Sequence, residues 1–239
     1  IAKTLKIRPT SLIKGLQRLK QAGRIKMIRR GFYVIIPLEY SINGMIPPDW
    51  FVDDLMKFLK RPYYVGVLSA SALHGASHQQ PQEYHVVIES PKKPVNAQNL
   101  RIRFFQKKNL AKTAIQQIKG YTGLLPMSSP SATALDLVRF APSIGGLDVV
   151  LTILTELVDK MTPDDLLKAA KLEPDRCYVQ RLGWLLDKIK KCELTKPLQQ
   201  WLIKQRPIKT PLDVREPKRG FHKDPRWQVI VNASPQSEL

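Results

Sequence analysis

Acidic side chains are what this sequence has least of: 20 Asp and Glu stand against 39 Lys and Arg, a formal net charge of +19. An excess of that size points to a polyanion. Nucleic acid is the commonest such partner, with a ribosomal or membrane-surface role as the competing reading. Cysteine is nearly absent. Cys177 and Cys192 make no disulfide framework and have no nearby His for a zinc site, which is the usage of a reducing, cytosolic compartment. No apolar run approaches the roughly 20 residues needed to span a bilayer. The start lacks the basic, apolar and small-residue zones of a signal peptide. Also missing are a phosphate-cradling Gly-rich loop, a Gly-x-Ser-x-Gly elbow, internal repeats and low-complexity tracts. The chain begins at Ile1 rather than Met, so residues are expected to precede it.

What is present gathers first in residues 1–40, which hold ten Lys and Arg and one acid, Glu39. Residues 1–5 read as the end of a helix. Pro9 suits a first helical turn, and Leu12, Leu16 and Leu19 repeat at i, i+4, i+7 to give one buried stripe. The opposite face carries Thr10, Ser11, Lys14, Gln17, Arg18 and Gln21, and Gly23 closes the helix. Residues 24–36 then alternate. Ile25, Met27 or Ile28, Phe32, Val34 and Ile36 can face inward while Arg24, Lys26, Arg29 and Arg30 face out, with a turn at Arg29-Arg30-Gly31. A basic helix followed by a basic hairpin is the outline of a winged helix-turn-helix, whose partner is double-stranded DNA. A solvated helix face is the plainer alternative. Against it stand the missing acids, the small hydroxyl residues that open the helix, and the hairpin that follows at once. The first helix that such a module usually has is expected to lie before Ile1.

Beyond a turn-rich break at 41–48, the sequence predicts a helix over 50–59 capped by Asp49, and a short strand from 63 that turns into a helix closed by Gly75. Strands follow at 83–89 and 100–105, a helix at 109–119, and a strand at 121–127. Ser129-Pro130 and Thr162-Pro163 are helix starts, and helices are expected near 147–161, 176–191 and 196–205. A last strand at 227–231 must pair with something earlier, so this half closes on itself. The fold class is α+β, with a winged helix-turn-helix at 1–42 and a larger mixed α/β domain at 43–239. Two more basic stretches lie outside the first. Residues 90–120 hold eight basic residues and no acid, and residues 204–226 hold eight basic and three acidic. Lys92, Lys93, Arg101, Arg103, Lys107 and Lys108 make a possible second basic surface.

Catalytic patterns are weak. His74 and His78 have helical spacing but no Glu between them, so no metalloprotease motif exists; His85 and His222 are isolated. A nuclease would need clustered acids for Mg²⁺; Glu83 and Glu89 with Lys92 are the candidates, and no Asp lies at a convincing distance. No cofactor, metal site or catalytic residue is expected. A nuclease with a DNA-binding front, or a plain winged-helix regulator with a ligand-sensing second domain, remain as alternatives.

Five stretches taken together resemble the AbiEi-type antitoxins of type IV abortive-infection toxin–antitoxin systems. They are GRIKMIRRGFYVIIP, PPDWFVDDLMKFLKRPYYVGVLSASALHGASHQQP, SSPSATALDLVRF, IGGLDVV and DPRWQVIVNA, in order along nearly the whole chain. The resemblance implies a winged helix-turn-helix that represses its own operon at inverted repeats. It also implies a C-terminal antitoxin domain that contributes to repression and counters a cognate nucleotidyltransferase-like toxin, without implying direct contact with it. On that reading Thr10, Ser11, Lys14 and Arg18 reach the major groove, and Arg24, Lys26, Arg29 and Arg30 hold backbone or minor groove.

Overall fold

The computed structural model describes residues 6–41, 44, 46–76, 82–97 and 100–237. The helical reading of residues 1–5 and the residue His78 lie outside them. The first described elements are α1 (Pro9–Gln21) and the antiparallel pair β1 (Ile25–Arg29) and β2 (Phe32–Ile35). Pro9 sits in the first turn of α1, and Gly23 ends it at φ +67°. The hairpin has an irregularity between Met27 and Arg29, so Ile28 rather than Met27 is the inward residue. Gly31 takes φ +85° at the turn, a conformation that favours glycine.

Next come α2 (Val52–Phe58), β3 (Tyr63–Val65), α3 (Val67–Leu73), β4 (Tyr84–Ile88), β5 (Val95–Ala97), β6 (Leu100–Gln106), β7 (Ile115–Lys119) and β8 (Leu124–Ser128). Six strands form one mixed sheet in the order β5-β6-β4-β3-β8-β7. β4 runs parallel to β6 and β3 parallel to β8, and the other neighbours are antiparallel. Five helices follow: α4 (Pro130–Phe140), α5 (Leu147–Leu157), α6 (Pro163–Leu172), α7 (Arg176–Lys188) and α8 (Cys192–Lys204). Ser129 caps α4 by accepting from the Ala132 N–H, and Thr162 caps α6 by accepting from the Asp165 N–H. Three short strands close the chain: β9 (Thr210–Pro211), β10 (Lys223–Asp224) and β11 (Val229–Ile230), with β11 between the other two.

Alternation along the sheet sorts the core into layers. Tyr64, Val87 and Phe105 point toward α4–α8 and join the larger apolar cluster with Leu135, Leu154, Leu182 and Trp227. Val86, Ile88 and Ile102 point the other way and pack with Val52, Leu55 and Met56 of α2 and with Ile28, Val34 and Ile36 of the hairpin. The hairpin thus buries its apolar side on the sheet, each full side chain worth about 1.5–3 kcal/mol. Phe32 meets Phe58 at the end of α2 with ring centroids 5.5 Å apart, and a Cβ on Gly31 would stand 3.5 Å from the Phe58 ring.

Three expectations are corrected. Residues 109–119 are a short turn of helix at Leu110–Lys112 and then β7, not one helix. Ile115 and Ile118 mimic helical spacing, but pairing with β8 outweighs that local pattern. Asp49 does not cap α2, which starts after Phe51 with no side-chain cap. The expected buried stripe of α1 is not buried: Leu12 and Leu16 are half-covered, Leu19 is 45% exposed, and no residue of α1 is buried; its main packing among the described residues is against β1.

Candidate nucleic-acid interface

The front of the molecule is built from α1 and the hairpin. Thr10, Ser11, Lys14 and Arg18 are all exposed. Thr10, Lys14 and Arg18 recur every four residues and so lie along one side of the helix. No acid stands in the first turn of α1, and Arg18 and Lys20 occupy its last. On the hairpin Arg24, Arg29 and Arg30 are exposed. Lys26 is half-buried; its Nζ donates to the Gly44 carbonyl at 3.2 Å, and burial draws its pKa below the usual lysine value. It acts as a brace for the following segment as well as a cation.

The second basic group divides. Lys93 and Lys108 are exposed and Lys92 half-buried. Arg101 and Arg103 are committed to Glu83, at 2.9 and 3.7 Å, and Arg103 also donates to the Ser143 carbonyl. Lys107 is a correction: it is not on any surface. It is 4% exposed and pairs with Asp136 at 2.9 Å and Glu173 at 3.4 Å. Tyr64 donates to the other oxygen of Asp136, and Arg139 closes the network on Glu173 and Asp175. Burial and the Asp136 charge hold the Tyr64 hydroxyl far above its ordinary pKa. A buried cation is retained only when paired, and the acids that pair it come from α4 and the end of α6, far along the chain.

The acids weighed for metal chemistry are occupied elsewhere. Glu83 holds its two arginines, and Glu89 accepts the Leu110 N–H at 3.3 Å. Among the described residues no three His, Cys, Asp or Glu side chains converge to hold a metal ion. His85 is buried against Phe105. Desolvation, with Arg103 beside it, lowers its pKa to about 4, and Glu83 at 3.8 Å is too engaged to offset this.

One residue escaped the sequence reading. Arg61 follows α2, directly before Pro62, and reaches the Ser90 carbonyl at 3.5 Å. It lies close enough to Lys92 for its charge, with that of Arg29 and behind the effect of burial, to lower the Lys92 pKa. Its role could not be read locally, since nothing in Lys-Arg-Pro marks a meeting with Arg29 of β1 and with the segment after β4.

These features define a class of protein: a mixed α+β molecule in which a six-stranded sheet is covered by five helices on one face and by a basic hairpin on the other. The sequence matches the family model of the AbiEi antitoxin C-terminal domain over residues 64–188, and the chain belongs to that antitoxin family. The fold is similar to the crystal structure of the RV2827C protein from Mycobacterium tuberculosis, with TM-score 0.63 and 16% identity over 95% of this chain and 79% of that one. An antigenic nucleotidyltransferase-like protein from Paracoccidioides brasiliensis aligns over 64% of this chain and 88% of its own at 10% identity, with TM-score 0.36, too low to mark a shared fold. No curated protein matches in sequence. No helix among the described residues is long and apolar enough to cross a membrane.

Proposed function

We propose that this protein is a non-enzymatic, cytoplasmic DNA-binding antitoxin that represses its own operon at inverted repeats and counters a nucleotidyltransferase-like toxin. The observation that carries the DNA-binding half is the exposed, acid-free face of α1 and the hairpin, in a chain of the AbiEi antitoxin family. Residues 1–42 act on this reading as a winged helix-turn-helix. Thr10, Ser11, Lys14 and Arg18 enter the major groove, and Arg24, Lys26, Arg29 and Arg30 hold the backbone or minor groove. Membership of the antitoxin family supports the second half, with residues 43–239 as the antitoxin domain.

Two measurements test it. Titrating the DNA upstream of the gene and a scrambled duplex should show tighter binding to the first. Arg29→Ala with Arg30→Ala should weaken both and flatten the log–log salt slope by about one to two units. Unchanged affinity and slope would remove the hairpin from the interface. Co-expression with the toxin gene beside it should restore growth, and failure to do so would remove the antitoxin activity.

A further inference from the structure

The hairpin and the sheet domain meet at a cluster of cations contributed by three separate elements. Ile28 is buried on the sheet near Val95, so Arg29, the next residue of β1, emerges at that seam. Arg61 leaves the end of α2, where Lys60 adopts φ +52° and turns the chain, and its guanidinium reaches across to the Ser90 carbonyl. Lys92 follows two residues later, held between Pro91 and Pro94 ahead of β5. Its ammonium feels both guanidinium charges. None of the three has an ion-pair partner among the described residues, whereas Arg101, Arg103 and Lys107 nearby are all paired. A groove lined by residues 59–62 and 88–90 opens beside Arg61, and the acid on its rim, Glu89, already accepts the Leu110 N–H. The cluster cannot relax by swinging the hairpin away, because Phe32 against Phe58 and the buried Ile28 fix it in place.

Like charges held together at a fixed seam raise each other's energy, and a bound anion relieves it. We propose that Arg29, Arg61 and Lys92 together hold one backbone phosphate of duplex DNA, so that the DNA path runs from the hairpin onto the sheet domain. This rests on the DNA-binding reading above and adds Arg61 and Lys92 as a positioning contact shared by both halves of the molecule. Guanidinium forks from two sides and a point-charge ammonium suit the oxygens of a single phosphodiester. The contact carries no base information, so it sets the orientation of the protein on DNA rather than its sequence preference.

The test is fluorescence anisotropy of the full chain on a labelled mixed-sequence duplex across a salt series. Arg61→Gln and Lys92→Gln should each weaken binding by about three- to ten-fold, with Lys92→Arg retaining affinity. The triple variant R29Q/R61Q/K92Q should lower the salt slope by about one unit in total, since one phosphate site is lost. Lys93→Gln, beside the cluster but outside it, should have a smaller effect than Lys92→Gln. A parent chain that binds while R61Q and K92Q keep its affinity and slope overturns the shared site. A triple variant that loses about three units overturns the single phosphate in favour of three separate contacts. A parent chain with no salt-dependent binding overturns the DNA reading itself. Matching thermal unfolding by circular dichroism identifies variants that remain folded, and Lys92→Ser serves where Lys92→Gln does not.

Discussion

Replacing Lys107 with methionine would leave Asp136 buried with only the Tyr64 hydroxyl, while Glu173 keeps Arg139. Stranding a buried carboxylate costs about 3–5 kcal/mol, so the urea midpoint should fall sharply with little change in slope. Adding Asp136→Leu removes the stranded charge and should recover part of the loss. His85 provides a second residue-scale test. Its folded pKa of about 4 lies below the unfolded value, so the unfolded chain binds the extra proton first. Its contribution is therefore intact above about pH 6.5 and is lost progressively as pH falls toward 4, up to about 3 kcal/mol. Unfolding free energy measured from pH 7 to 4.5 should fall less in His85→Phe than in the parent, and an identical pH profile would mean that His85 is not the group responsible. His74, also depressed by burial, supplies a residual slope of the same sign.

At the scale of elements, α7 shows why a helix tolerates a poor helix former. Gly183 lies under the Trp227 ring, and a Cβ there would come within 2.2 Å of it. Trp227 is fully buried and donates from Nε1 to Asp187 at 2.7 Å, so α7 and the closing strand β11 are clamped together at one point. Gln180 adds hydrogen bonds to the carbonyls of Ile208, Trp227 and Gln228. Gly183→Ala gains helix propensity of roughly 1 kcal/mol yet should destabilise the protein by about 1–3 kcal/mol or more through forced displacement of the ring. A raised melting temperature in that variant would refute the clamp. The same scale explains the misread element. β7 is an edge strand with Gln116 and Gln117 exposed, so it shows no inside–outside alternation and only its partner β8 identifies it.

For the molecule as a whole, much of the order of elements was legible. Proline and hydroxyl caps at Ser129 and Thr162 mark helix starts by local chemistry, and alternation from Glu83 to Glu89 exposes a strand whose two faces are both used. The basic front was legible too, since a run of cations without acids survives any fold. What was not legible depends on distant partners. Lys107 reads as one more surface lysine until Asp136 and Glu173 arrive beside it, and Arg61 reads as a lone cation before a proline until β1 and the segment after β4 are brought to it. Leu12, Leu16 and Leu19 show the opposite failure, a pattern that promises burial which the described residues do not supply.

The layering of the sheet also dictates an order of folding. The hairpin leaves the ribosome before the sheet, and Ile28, Val34 and Ile36 are covered by Val86, Ile88, Val95 and Ile102, which are made later. A nascent hairpin of this kind has local pairing but no core, and isolated two-stranded hairpins are marginal in water. It gains a fixed shape only once β4, β5 and β6 have assembled behind it, a non-local step that is slow compared with forming a turn. Synthesis therefore reaches the sheet before the basic hairpin is rigid, and a chain interrupted before β6 carries the charges without the surface that aligns them.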